Sequence, residues 1–172
     1  MMITKELLLD EITCFLKQRS DLVSIAVRQR AKFEGWLKFE LANALKRIFD
    51  DTSVEYPIRG RHVDLYSNHS LIELKTPNTN YHARGCEDIT RPITKNVNDI
   101  LNDIRKLRGV PRDDQVRHAF IAFVMFPVPS IEKCKPHLEK IDASVGEPNT
   151  RIVYKMCEVD ELTVLVYVAK IY

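Results

Sequence analysis

Two short stretches of the chain combine alternating apolar residues with charged side chains. They lie within His62 to Thr76, which reads HVDLYSNHSLIELKT, on either side of the polar segment SNHS. Alternation with a period of two, bounded by turn-forming residues, is typical of paired β-strands. We therefore predict a β-hairpin, in which a turn of two or four residues places Asp64 directly opposite Glu73.

An aspartate opposite a glutamate brings two negative charges together. Directly opposed residues have Cβ atoms roughly 4.5–5.5 Å apart, and like charges there destabilise a sheet unless they are compensated. A hard divalent cation such as Mg²⁺ compensates two carboxylates and retains water ligands for a phosphate substrate. The same register places His62 opposite Lys75, whose ammonium group then lies beside the cation. An odd-length turn would instead make Asp64 and Glu73 diagonal neighbours.

The predicted hairpin has two different faces, because successive side chains of a strand point to opposite sides of the sheet. One face is expected to belong to the core and carries Val63, Leu65, Ile72 and Leu74. The other face carries His62, Asp64, Tyr66, Glu73 and Lys75.

The spacing of these charges is similar to a known motif. Asp64, eight intervening residues and the tripeptide Glu73-Leu74-Lys75 resemble the PD-(D/E)xK nuclease superfamily, the fold of many restriction endonucleases and Holliday-junction resolvases. Val63 stands where the motif name has proline, a departure that many members share. The resemblance implies that Asp64 and Glu73 bind Mg²⁺ or Mn²⁺, that the Leu74 carbonyl adds a ligand, and that Lys75 positions or activates the attacking water.

In this family the first helix of the core often supplies a further carboxylate. Glu34 and Glu40 both lie within the apolar arc of the helix predicted before the hairpin. Carboxylates are rarely buried without a partner, so such a glutamate requires a cation or hydrogen-bond donors. We choose Glu40, because its distance from Asp64 leaves room for a helix end, a turn and one strand, and keep Glu34 in reserve. Either glutamate can instead pair with a lysine or arginine at the edge of the arc.

Residues 77–91 follow the hairpin and are rich in Asn, Thr and Gly without any periodicity. Loops at the catalytic end of a scaffold often carry function, so we expect this loop to contact a nucleic acid. A disordered or merely connecting loop is the alternative. The candidate nucleic-acid-binding residues, in this loop and just before the hairpin, are Arg59, Arg61, Asn78, Asn80, Tyr81, His82, Arg84 and Arg91.

The other patterns predict the elements that position these residues. In chain order they predict a helix over 4–17, a helix from Ser20 or Ser24 to Phe49 with Gly35 as a candidate bend, a strand over 54–58, the hairpin, a helix over 93–107, a central strand over 119–126, a helix after Ser130 that Pro136 kinks or divides, and a closing hairpin over 151–158 and 162–172. This order implies an α/β fold with a mixed sheet flanked by helices and an αβββαβ core similar to that of restriction endonucleases. We expect one domain, 1–172, with its core at about 24–126 and with 4–17 and 130–172, a C-terminal helix and β-hairpin, as additions.

Composition limits the classes of protein that need considering. The chain has 172 residues, 45% of them hydrophobic, and a net charge of only +2, so a basic surface must come from local clustering. No apolar stretch approaches a membrane span, and the N-terminus has acidic residues where a signal peptide is apolar, so we expect a cytoplasmic protein without membrane contact. The scattered cysteines, Cys14, Cys86, Cys134 and Cys157, indicate neither zinc nor a disulfide framework.

These expectations describe a metal-dependent DNA endonuclease that hydrolyses phosphodiester bonds with Mg²⁺ or Mn²⁺. Asp64, Glu73, Lys75 and Glu40 would be its catalytic residues, and a homodimer would be needed to cut palindromic DNA. One alternative is a nuclease-fold module that binds DNA or a protein without cutting. Another is an ordinary solvated hairpin, with Glu73 and Lys75 in surface ion pairs worth under ~1 kcal/mol.

Overall fold

A computed structural model describes residues 2–90, 92–146 and 151–172 as one α/β domain with a mixed sheet between two helical layers. The strands are β1 (Ser53–Ile58), β2 (Arg61–Ser67), β3 (Ser70–Lys75), β4 (His118–Met125), β5 (Ile152–Val159) and β6 (Leu162–Lys170). The helices are α1 (Lys5–Gln18), α2 (Ser20–Arg28), α3 (Glu34–Lys46), α4 (Thr94–Arg108) and α5 (Ile131–Val145). The predicted order of helix, three strands, helix and strand is present from α3 to β4.

The six strands lie in the order β1-β2-β3-β4-β6-β5. Of the neighbouring pairs among these strands, β3 and β4 are parallel and the other four pairs are antiparallel. Helix α4 forms the crossover that parallel neighbours require. Because the two strands are parallel, the chain leaves β3 at the same edge of the sheet at which β4 ends. The mixed sheet flanked by helices is the predicted fold class.

The sheet buries a separate hydrophobic core on each side. Helices α1, α2 and α3 cover one face, where Leu65, Ile72 and Leu74 are buried. Helices α4 and α5 cover the other, where Leu71 and Ile121 are buried. Strand β4 lies between both cores and is buried from its second residue onward, which explains why its sequence is continuously apolar.

The helix predicted from Ser20 or Ser24 to Phe49 is divided in two. Arg30 lies in the gap between α2 and α3 with a left-handed φ of 56°. Its buried guanidinium group donates hydrogen bonds of 2.8 Å to the carbonyl oxygens of Thr79, Tyr81 and Glu87. Three bonds from a charged donor to one loop outweigh continuation of the helix, so the chain breaks here and not at Gly35.

Strands β1 and β2 reverse their alternation at one point. Leu65 and Val54 pack on the side of α1 to α3, whereas Val63 and Tyr56 pack on the side of α4 and α5. Glu55, between Val54 and Tyr56, has a left-handed φ of 50°. The prediction that Val63 shares a face with Leu65 is therefore wrong, because this residue turns both paired strands over.

The C-terminal half of the chain follows its predicted order. Helix α5 begins after Ser130 and continues through Pro136 as one element, so the proline does not divide it. Strands β5 and β6 form the closing hairpin. Among the described residues, no helix combines the length and the apolar character that crossing a membrane requires.

Arg30 provides a test of this arrangement. Arg30→Met should lower the free energy of unfolding by about 2–4 kcal/mol, because buried carbonyl oxygens lose charged donors. Arg28→Met is the matched control: Arg28 pairs with Asp160 at 3.3 Å on the surface, and its loss should cost under about 1 kcal/mol. Urea denaturation of both variants measures the difference, and equal losses would contradict the role given to Arg30.

Candidate functional site

The ammonium group of Lys75 is the centre of a cluster of carboxylates. Its Nζ lies 3.1 Å from Asp103 Oδ2, 3.4 Å from Glu73 Oε1 and 3.6 Å from Glu34 Oε1. It also donates a hydrogen bond of 3.0 Å to the carbonyl oxygen of Leu74. The three acids come from α4, β3 and α3, so both helical layers and the sheet meet at this group.

Asp64 joins the cluster through the end of the β2–β3 ladder. The observed pairs Leu65–Ile72, Tyr66–Leu71 and Ser67–Ser70 have the register predicted for an even-length turn. The last pair of this ladder is Leu65–Ile72, so Asp64, the next residue along β2, has no backbone partner in it.

Side chains replace the backbone ladder beyond that point. Asp64 Oδ2 accepts the N–H of Leu74 at 2.8 Å, and Glu73 Oε2 accepts the N–H of Asp64 at 3.4 Å. The two carboxylates are therefore held together by contacts between side chain and backbone. His62 pairs with Pro57 of β1, and the predicted pairing of His62 with Lys75 is not part of the observed ladder.

Lys38 provides the second cation of the site. Its Nζ lies 2.6 Å from Asp64 Oδ1 and also pairs with Glu55. Lys38 follows Glu34 by four positions on α3, and residues with that spacing occupy one face of a helix. Asp64 therefore points toward α3, on the side of the sheet that α1, α2 and α3 cover.

The start of α3 is fixed to the end of β3. The N–H of Phe33 donates a hydrogen bond of 3.2 Å to Oγ1 of Thr76, a residue that is almost completely buried. This bond places Glu34, the first residue of α3, beside Lys75.

Glu34, and not Glu40, is therefore the helix carboxylate of the cluster. Glu40 lies about 240° further around α3, because it follows Glu34 by six positions and each position turns the helix by about 100°. Its Oε1 accepts a hydrogen bond of 3.3 Å from Trp36 Nε1 and lies 3.7 Å from Arg19 Nη2, in a cleft against α1. The choice of Glu40 is corrected on this basis, and its contacts match the alternative of a glutamate paired at the edge of the arc.

A cavity of about 710 Å³ opens onto the cluster. Glu34, Glu73, Lys75 and Asp103 contribute to its lining. The rest of the lining includes four basic or polar side chains, one further acid and one glycine: Lys32, Asn102, Arg105, Lys106, Asp99 and Gly35. We call this space the central cavity. Its floor is acidic, and the cationic side chains of its lining lie around that floor.

Burial and neighbouring charges shift the pKa values of the ionisable groups at the floor of the central cavity. Burial, reinforced by repulsion from Asp64 and Asp103, raises the pKa of Glu73 to about 7. Burial also raises the pKa of Glu34. Burial alone would lower the pKa of Lys75, but Glu34, Glu73 and Asp103 outweigh it and raise the pKa above its ordinary value. Lys75 is accordingly an ammonium group and a hydrogen-bond donor at neutral pH.

The chemistry of the donors suits a hard divalent cation, since Glu34, Asp64, Glu73 and Asp103 offer only carboxylate oxygens. The proximity of Asp64 raises the pKa of Glu73, so a divalent cation would relieve a repulsion already present. In the described part of the chain, no group of three or more His, Cys, Asp or Glu side chains is arranged as a metal-binding set. Lys38 and Lys75 lie against the oxygens that such a set would use.

The predicted nucleic-acid-binding residues are distributed differently. Arg61 and His62 line a cavity of about 290 Å³ that shares Glu73 and Asp103 with the central cavity. Asn78 lines another cavity and donates to the carbonyl oxygen of Arg30 at 2.8 Å.

The other members of that set have structural partners or lie apart from the cavities. Tyr81 donates a hydrogen bond of 2.6 Å to the Lys133 carbonyl oxygen. His82 pairs with Asp88 at 3.2 Å on the surface. Arg59, Asn80 and Arg84 are exposed and line none of the cavities described here. Arg91 lies outside the described residues.

Sequence reasoning missed two members of the cluster. Lys38 could have been found from its i, i+4 spacing to Glu34. Asp103 precedes Ile104 and follows Ile100 by three positions, which puts a carboxylate at the border of the apolar face of α4, and only 3% of Asp103 is exposed. A buried acid at such a position indicates a cationic partner, as it did for Glu34.

The raised pKa of Glu73 predicts a pH-dependent stability without divalent cations. The pKa is 4.5 in the unfolded chain and about 7 in the folded protein, so between these values the folded state binds the proton more tightly. The stabilisation from this group is complete below pH 4.5 and is lost as the pH rises through about 7. Glu73→Gln cannot ionise, so its free energy of unfolding should match that of the wild type near pH 4 and exceed it by about 1–3 kcal/mol at pH 8. Urea denaturation at both pH values tests this, and a difference that does not change with pH would contradict it.

Comparisons of the chain with protein-family models, with curated proteins and with solved structures found no match. The functional conclusion below accordingly depends on the chemistry of the cluster and on the spacing of its residues.

Proposed function

We propose that the protein is a metal-dependent phosphodiesterase that cuts DNA. The observation that carries the proposal is the convergence of Glu34, Glu73 and Asp103 around Lys75 at the floor of the central cavity, with Asp64 beside Glu73. The resemblance of Asp64, Glu73 and Lys75 to the PD-(D/E)xK motif supports it independently of the cavity. Cytoplasmic location is part of the same proposal.

Asp64, Glu73 and Glu34 would hold Mg²⁺ or Mn²⁺, and the carbonyl oxygen of Leu74 is a further candidate ligand. When bound, the cation lowers the pKa of a water molecule and neutralises charge that develops on the phosphate. The residues of the chain then have separate tasks. The carboxylates supply negative charge at fixed positions, and the hydrogen bond from the Leu74 N–H orients Asp64.

Lys75 would act as a cation and not as a base. The three acids around it keep it protonated, so its N–H groups can orient a nucleophilic water and donate to a phosphate oxygen. Asp103 contacts Lys75 from α4, on the side opposite α3. It can therefore retain the ammonium group beside the site when Glu73 is engaged elsewhere.

A second candidate is a nuclease-fold module that binds DNA or a protein partner without cutting. It is favoured by one observation, the pairing of Asp64 with Lys38 and of Glu73 with Lys75. In this alternative the lysines are permanent partners of the acids and no cation is required. The two candidates differ in whether Mn²⁺ raises the melting temperature of the protein, because a ligand that binds only the folded state stabilises it.

The proposal is tested by incubating supercoiled plasmid with the protein and Mg²⁺ or Mn²⁺. We expect nicking that requires the cation and that falls at least 100-fold in Asp64→Ala and in Lys75→Ala, because charge stabilisation of this kind is worth about 10²–10³ in rate. Cleavage that survives both substitutions would refute the proposal. Absence of cleavage together with no effect of Mn²⁺ on the melting temperature would favour the binding module.

The two glutamates of α3 form a matched pair for the same assay. Glu34→Gln should reduce nicking at least tenfold, because it removes a charge from the cluster at a position that approaches Lys75. Glu40→Gln makes the same chemical change on the α1 side of the helix and should leave nicking within about twofold of the wild type. Equal losses in the two variants, or a larger loss in Glu40→Gln, would contradict the assignment of Glu34.

A further inference from the structure

A second cavity continues the central one along the end of the sheet. It has a volume of about 500 Å³ and shares Lys32 and Asp99 with the central cavity. Its other charged residues include Lys95, in the first turn of α4, and Arg30, whose guanidinium group is occupied by backbone carbonyl oxygens. We call this space the Lys32–Lys95 cavity.

Neither of its two lysines is ion-paired in the described structure, although Lys32 lies near enough to Glu34 to oppose the rise in the pKa of that carboxyl group. The side chains of Lys32 and Lys95 are exposed and form neither an ion pair nor a hydrogen bond with any described residue. The lysines of the neighbouring cluster, by contrast, lie against carboxylates. Of the acids that line the Lys32–Lys95 cavity, Asp88 pairs with His82, and Asp99 lies at its border with the central cavity.

The positions of the cavities match a linear polyanion. On the far side of the acidic floor, Arg61 and Lys106 line the cavity of about 290 Å³. Three contiguous cavities therefore follow one another, with cations at both ends and carboxylates in the middle. A small phosphodiester would occupy only the central cavity, whereas a polynucleotide needs cations for the phosphates on either side of the one that reacts.

We infer, on the basis of the proposed function, that the Lys32–Lys95 cavity binds the backbone phosphates of a nucleic-acid strand next to the phosphate held in the central cavity. Lysine side chains contact phosphates without reading bases, so this contact raises affinity for any sequence. It also fixes the direction in which the strand leaves the carboxylates. The substrate class is accordingly a polynucleotide and not a small phosphate diester.

The test measures binding in EDTA, so that neither metal nor cleavage enters. The probe is a fluorescein-labelled single-stranded 20-mer of mixed sequence, followed by fluorescence anisotropy over a range of salt concentrations. Lys32→Ala combined with Lys95→Ala should weaken binding about tenfold near 0.1 M salt. It should also reduce the slope of log Kd against log salt by about 1.4, since each lost phosphate contact on a single strand removes about 0.7.

Lys17→Ala combined with Lys155→Ala is the control. Both residues are exposed and lie near Cys157 of β5, at the opposite edge of the sheet from β1, and the variant loses the same two charges. This control should leave the affinity and the slope unchanged. An equal loss in both double variants, an unchanged slope in the first, or no binding of the probe by the wild type would overturn the inference.

The same measurement separates this inference from the proposed hydrolysis. If the double variant Lys32→Ala, Lys95→Ala has a smaller salt slope but the wild type never nicks plasmid, the phosphate contact is supported and the proposed hydrolysis is refuted. If the wild type nicks plasmid but the double variant has an unchanged salt slope, the hydrolysis is supported and the phosphate contact is refuted. Since both lysines are exposed and form no ion pair or hydrogen bond with a described residue, we expect the double variant to melt within about 2 °C of the wild type.

Discussion

The ion pairs of Lys75 with three carboxylates are the interaction on which the rest of the site depends. Glu34, Glu73 and Asp103 come from three elements and are held within 3.6 Å of one ammonium group. Removing charges from water costs several kcal/mol per ion, and an attraction of this kind recovers that cost only with good geometry. The position of Lys75 at the end of a central strand therefore determines where α3 and α4 place their acids.

The geometry is achieved by two features of the backbone. The hydrogen bond from Phe33 to Thr76 ties the first turn of α3 to the end of β3. The left-handed residue Glu55 reverses β1 and β2, so that Asp64 faces Lys38 on α3 instead of continuing the ladder. A non-glycine residue with this φ costs free energy, and such strain is often found where a structure positions a functional group.

Much of this arrangement could be predicted because it depends on local patterns. The even register of the hairpin follows from alternation and from the position of the turn. The predicted cross-strand pair of Asp64 with Glu73 is not part of the observed ladder, and the two residues meet through contacts between side chain and backbone. The reversal at Glu55 could not be predicted, since any residue with a charged side chain fits the alternating pattern at that position. The choice between Glu34 and Glu40 also failed, because both are assigned to the apolar arc and the tertiary contact between Phe33 and Thr76, which brings Glu34 to Lys75, is not visible in the sequence. The break at Arg30 depends on carbonyl oxygens some 50 residues later, which no local pattern reveals.

The charges of the cluster indicate why a purely structural role explains it poorly. A structural ion-pair network is expected to match its charges, and apolar residues of similar size often serve as well. Here Glu34, Asp64, Glu73 and Asp103 are paired with three lysines, Lys38, Lys75 and Lys106. The pKa of Glu73 is still raised to about 7 by burial and by its acidic neighbours. The folded state therefore opposes ionisation of Glu73 at neutral pH. Ionisable groups whose pKa is strongly shifted at a cost in stability are concentrated at sites of binding and catalysis. A bound ligand of opposite charge can offset that cost. An additional positive charge beside Glu73 would favour its ionised form and so lower its pKa.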